Sequence, residues 1–155
     1  MATATQDKHA FGTGYGDQGY ADEVRTLLRA AARPFSEQEV FADPFSAGQY
    51  HVDFVTTEAG GATRLVEIMY QGVRGTAEQK VPFKAMQLVG GVVALNRKAG
   101  RPAAQGAHAY LVLAGAGYAH AEDWAVHVPR LLRHGDGLTI CTWEQFLALF
   151  RSGRW

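Results

Sequence analysis

The sequence predicts an α/β fold in which a mixed central sheet is flanked by helices on both faces. Three observations carry this. The candidate elements follow the order α-β-β-β-α-β-α-β-α, two β-rich runs are joined by a Gly-Gly turn, and a continuous apolar run, AYLVLA, lies between two helical segments. A hairpin followed by a β-α-β crossover combines antiparallel and parallel pairs in one sheet.

The first helix begins near Gly19, where Val24, Leu27, Leu28 and Ala31 recur at i, i+3, i+4 and i+7 on one apolar face. Pro34 ends it by disfavouring helical backbone at Arg33. A short strand, Glu37–Phe41, closes at Asp43-Pro44. Gln49–Thr57 (QYHVDFVTT) alternates as a strand: Tyr50, Val52, Phe54 and Thr56 face one way, and His51, Asp53, Val55 and Thr57 the other. Glu58-Ala59-Gly60-Gly61 then turns the chain into Arg64–Gln71 (RLVEIMYQ), which makes a hairpin. In that second run Leu65, Glu67, Met69 and Gln71 share a face. Val66, Ile68 and Tyr70 form the other, the better candidate for core packing.

Gly75–Lys98 is the longest helical candidate, with Val81, Met86, Leu88, Val89 and Val92 on its apolar surface. Pro82 belongs in its first turns or at a kink, and Gly90-Gly91 marks a place where another backbone can approach. Ala109–Ala114 reads as a strand buried on both faces, followed by a turn at Gly115 and Gly117. Glu122–Arg133 is a helix interrupted by Pro129, and Leu138–Cys141 is a short strand. Thr142 caps a final helix, with Trp143, Phe146, Leu147 and Phe150 on its apolar face and Gln145 at capping-box spacing.

A length of 155 residues with 47% apolar and 19% charged residues describes one ordinary globular domain. The expected organisation is a flexible, polar, Gly-rich segment over 1–16 and a single domain over 17–155. Zero formal charge excludes a strongly basic nucleic-acid coat but leaves room for a local patch. Eleven of the fifteen cations are Arg, which suits bidentate recognition of phosphate or carboxylate. No apolar stretch approaches the ~20 residues that span a bilayer. The opening lacks the hydrophobic stretch of a secretory signal, and the single cysteine, Cys141, fits a reducing compartment. A cytoplasmic location without membrane contact is the expectation.

Gly14–Gly19 matches GxGxxG, yet no strand precedes it, so it reads as a lead into the first helix and not as a dinucleotide site. His120, His127 and His134 are spaced by seven, too far apart to chelate from one helical face, and Cys141 has no partner at zinc spacing. Asp53 and Glu67 stand out instead. Each interrupts an apolar strand, where a carboxylate is costly unless paired, hydrogen-bonded or bound to a cation. In a hairpin the two can project from one face and offer hard oxygen ligands to Mg²⁺. Alternatively each occupies the solvent face of a half-covered sheet. Spacing alone leaves both readings open.

HVDF, then VEIMYQ with thirteen residues between Asp53 and Glu67, then GTAEQKVPFK, resemble the PD-(D/E)XK nuclease superfamily. The element order adds to the resemblance, which covers roughly residues 18–146. It implies the restriction-endonuclease-like αβββαβ core and a metal-dependent DNA endonuclease that hydrolyses a phosphodiester. Carried over by position, Asp53 and Glu67 would hold Mg²⁺ (or Mn²⁺), and Glu23 resembles an additional acid that some branches place on the first helix. Gln71 resembles the glutamine that follows the strand motif in several branches.

One departure matters. Met69 stands at the position of the family's catalytic lysine, and a thioether is a weak acceptor with no proton to give. Another residue has taken the role, or activity is lost, or the sequence carries an engineered Lys→Met. Lys80, on the helix after the strand, is a candidate to reach back; its other reading is a solvated lysine. Arg74 and Lys84 are candidate phosphate contacts, with ordinary surface charge as the alternative. The implied partners are double-stranded DNA, a second copy in a homodimer, and a partner protein for target recognition. Trp143, Phe150 and Trp155 are candidate dimer contacts, with a core role as the other reading of the first two. The rival function is a catalytically inactive nuclease-fold subunit for DNA binding or assembly. A small-molecule enzyme on an α/β sheet is a third reading, without a cofactor motif behind it.

Overall fold

A computed structural model describes residues 17–58, 60–101 and 106–155. The segment 1–16, expected to be flexible, and the first half of the GxGxxG run lie outside the described residues. The chain runs α1 (Asp17–Ala30), β1 (Phe35–Ala42), β2 (Gln49–Thr57) and β3 (Thr63–Tyr70). A 3-10 turn, Thr76–Lys80, leads into α2 (Val81–Ala99), followed by β4 (His108–Ala114) and α3 (Ala121–Leu131). A second short turn, Gly135–Gly137, precedes β5 (Leu138–Thr142) and α4 (Trp143–Arg151). The five strands lie side by side in chain order. β1, β2 and β3 are antiparallel neighbours, whereas β3, β4 and β5 are parallel. The fold is α/β with a mixed sheet.

Local chemistry sets the element ends. Pro82 sits in the first turn of α2, where its missing N–H has no intrahelical partner to lose. Gly100 closes that helix in the left-handed conformation, φ +63°. At α4 the capping box is complete: Gln145 N–H donates to Thr142 Oγ1 and Thr142 N–H donates to Gln145 Oε1.

Apolar packing occupies both faces of the sheet. Leu65, Leu88, Val92, Leu111, Leu113 and Ile140 form the core under α2 and α3. Val24, Leu28, Phe54, Val66, Tyr110 and Phe146 form the core under α1 and α4. β4 feeds alternate residues to each, which is why AYLVLA has no polar interruption. The expectation of one core face on β3 is therefore corrected: Leu65 and Val66 are both fully buried, on opposite sides.

Two further expectations change. At Gly91 an added Cβ would stand 2.5 Å from the Tyr50 hydroxyl, and at Gly90 3.1 Å from the Pro44 ring. The close approach is thus by side chains, not by another backbone. Trp143 and Trp155 are buried in the α1/α4 core and so are not open as dimer contacts, while Phe150 packs against that core and stays partly exposed. Trp155 folds back, its ring tilted against Phe150 at 4.8 Å between centroids and lying 4.9 Å from the Arg33 guanidinium. Among the described residues, no helix is long and apolar enough to cross a membrane.

Candidate active site

The site sits where β2 and β3 part. Their ladder runs from Thr57–Thr63 to Phe54–Val66 and stops there. Beyond it side chains replace backbone acceptors. Asp53 N–H donates to Glu67 Oε2 at 3.2 Å, and Ile68 N–H donates to Asp53 Oδ2 at 2.8 Å. Ladder N–H groups point along the sheet plane, so each carboxylate meets the facing strand's backbone at the edge of the divergence.

That meeting corrects the expected common face. Tyr50 and Val52 join the α2/α3 core, Phe54 joins the α1/α4 core, and Val55 returns to the former. Alternation along β2 breaks at Asp53. On the neighbouring strand Gln38 has a left-handed backbone, φ +51°, and its side-chain amide donates to Asp53 Oδ1 at 2.8 Å.

Glu67 is only 7% exposed, and its Oε1 lies 2.8 Å from the Lys84 Nζ on the first turn of α2. Burial and the neighbouring Asp53 carboxylate push the Glu67 carboxyl up to about 7, against the pull of Lys84. Asp53's own carboxyl is within about 4 Å of its backbone nitrogen by bond lengths. With Glu67 Oε2 at 3.2 Å from that nitrogen, the two acids lie within about 7 Å of each other.

The donor set fits a hard divalent cation. Two carboxylates repel each other, and each Asp53 oxygen accepts one hydrogen bond while retaining lone-pair capacity. Mg²⁺ takes one or two carboxylates and keeps several waters. Among the described residues, no group of three or more His, Cys, Asp or Glu that could hold a metal ion converges.

The other sequence candidates fall in different places. Lys80 and Lys84 exchange expectations: Lys84, expected at phosphate, pairs with Glu67, while Lys80 is exposed and bonds neither carboxylate. The two lie one helical turn apart, and the extra turn brings the lysine over β3. Met69 shares Glu67's side of β3 but is half-buried against the α2/α3 core, and its carbonyl accepts from the Tyr118 hydroxyl at 2.9 Å. The expectation that Met69 stands clear of the apolar core is corrected, because α2 covers that face.

Gln71 lies just past β3 and is buried. Its Nε2 donates to the Gly117 carbonyl at 2.8 Å, and Oε1 has no hydrogen-bond partner among the described residues. An added Cβ on Gly117 would collide with Gln71 at 2.6 Å, so the turn after β4 is fitted to this side chain. Glu23 does not converge on the acids. Gln18, Ala21 and Arg25 are the α1 residues that line the cleft beside Asp53, and at 100° per residue Glu23 points away from them. Arg74 is exposed in the loop before α2. Residue type and spacing marked neither Gln38 nor the role of Lys84. The one available signal was that a lysine four residues beyond Lys80 shares its helix face.

The cleft on the α1 side measures about 420 Å³ and is lined by Gln18, Arg25, Glu37, Gln38, Asp53 and Ile68. A cavity of similar volume between α2 and α3, around Met86, Trp124 and Leu131, touches neither carboxylate.

No protein-family model matches the chain, and no curated protein matches it. Among solved structures it is similar to the crystal structure of a protein of unknown function, AF1548, at 12% identity and a TM-score of 0.47. The alignment covers 86% of this chain and 66% of that one, so the chain spans just under two thirds of that protein's length.

Proposed function

We propose that the chain is a metal-dependent DNA endonuclease of the restriction-endonuclease-like fold, with Lys84 in the role that Met69 cannot fill. The observation behind this is the convergence of Asp53, Glu67 and Lys84 at the divergence of β2 and β3. Asp53 and Glu67 would hold Mg²⁺ or Mn²⁺. Bound there, the cation supplies Lewis acidity toward a phosphate oxygen and a more acidic water. Lys84 sets an ammonium beside Glu67, where negative charge grows during phosphodiester hydrolysis. Its long stem also leaves three donors able to turn toward a phosphate.

Gln71 is committed to the Gly117 carbonyl, which supports a role in shaping the turn after β4 instead of holding the attacking water. Arg74 and Lys80, both exposed near the start of α2, are the basic groups on hand for the DNA backbone. The reading includes a homodimer, because one small domain with one site needs a second copy to cut both strands. A cytosolic setting suits the single, buried Cys141.

A second reading has one observation in its favour. Met69 packs against the α2/α3 core, so the position is built for an apolar side chain, as in an inert subunit that binds DNA. Cleavage separates the two. Supercoiled plasmid with the chain and Mg²⁺ is expected to give nicked and linear products that EDTA abolishes. Linear product formed without a nicked lag supports the homodimer. DNA that is bound yet uncut in both Mg²⁺ and Mn²⁺ favours the inert subunit.

A further inference from the structure

We propose that Gln38 is a positioning residue that fixes the Asp53 carboxylate for cation binding; this rests on Asp53 and Glu67 forming the site described above. Gln38 adopts a backbone conformation that has no local use. Gln38 lies mid-strand in β1, where no turn is made, yet its φ is +51°. L side chains avoid this region, and only Gly, Asn and Asp visit it with ease. The register around it is otherwise unbroken: Glu37 pairs with Phe54 and Glu39 with Val52, which puts Gln38 opposite Asp53.

The rotation has two consequences. The Gln38 carbonyl lies 3.3 Å from the His51 Nδ1, and the side-chain amide reaches Asp53 Oδ1 at 2.8 Å. Asp53 is then held at both oxygens, by Gln38 on one and by the Ile68 N–H on the other. A carboxylate fixed in this way keeps its rotamer while retaining lone pairs for a cation. Partners of this kind orient a ligating group and tune its affinity. β1 is the outer strand of the sheet, so its distortion breaks no second ladder. Local irregularities of strands are found beside active sites, where they re-aim a side chain.

Glycine takes the left-handed conformation freely but carries no amide, so Gln38→Gly separates strain from positioning. The unfolding midpoint of Gln38→Gly is expected to be unchanged or raised. Its Mn²⁺ affinity, read by calorimetry without nucleic acid, is expected to fall by about tenfold. Gln38→Asn, which tolerates the backbone but is too short to reach, should lose affinity in the same way. Wild-type Mn²⁺ affinity in Gln38→Gly and Gln38→Asn overturns the role of Gln38 and leaves the site intact. Absence of Mn²⁺ binding by the wild-type chain overturns the site itself, and this role with it.

Discussion

Lys84→Met is expected to lower Mg²⁺-dependent DNA cleavage by about 10²–10³-fold, or roughly 3–4 kcal/mol of barrier, the cost of losing one electrostatic stabiliser from an active site. The Lys84 ammonium lies 2.8 Å from Glu67 Oε1 and is the cation that touches the carboxylate pair among the described residues. Folding should survive the change, since the methionine stem replaces most of the packing and Glu67 can take up a proton near neutral pH. Met69→Lys in the Lys84→Met background should recover part of the rate, because it returns an ammonium to the same side of β3. Lys80→Ala, on an exposed residue one turn earlier, should weaken DNA binding modestly and leave the chemical step nearly unchanged. Single-turnover cleavage at saturating protein reads these effects. Equal rates for wild type and Lys84→Met would remove Lys84 from the chemistry.

The second large effect is on stability. The Glu67 carboxyl stands at about 7 in the folded chain against an ordinary 4.5, first because it is buried and then because Asp53 is close. The folded state therefore holds a proton that the unfolded state has released between those values. Stability linked to that proton is complete below the unfolded value and is lost as pH rises through the folded one. At 1.36 kcal/mol per pH unit the loss is about 3 kcal/mol. Glu67→Gln keeps a neutral side chain at every pH. Its stability relative to wild type should rise by up to about 3 kcal/mol between pH 4 and pH 8. Urea unfolding in EDTA measures the difference. Added Mg²⁺ should offset the loss in wild type at pH 8, by binding the ionised carboxylates of the folded state alone, and should do little for the variant.

Much of the architecture was legible because it depends on local pattern. Alternating and helical periodicities located the nine main elements, the Gly60-Gly61 turn gave the hairpin, and Thr142 with Gln145 gave the cap of α4. Asp53 and Glu67 were legible as carboxylates in apolar strands, a costly placement that asks for a partner. What sequence missed depends on departures from regularity or on packing between distant elements. Strict alternation allowed Asp53 and Glu67 to share one face of the hairpin. The break at Asp53 accompanies a left-handed residue in β1 that is glutamine, not glycine, so composition gave no sign of it. Lys84 was misplaced because its reach to Glu67 follows from how α2 lies across β3. Trp155 looks like a free terminal aromatic until the chain end folds back onto Phe150 and Arg33. Gln71 looked available for a water, whereas its amide is taken by a glycine carbonyl 46 residues further along.

Asp53 and Glu67 are expected to bind one divalent cation together. Calorimetric titration of the wild-type chain, Asp53→Asn and Glu67→Gln with Mn²⁺ at pH 8 tests it most directly. The predicted result is uptake of about one ion per wild-type chain, as a two-carboxylate site holding a hydrated cation allows, and loss of that uptake in both variants. Equal uptake by all three proteins, or none by the wild type, would contradict it.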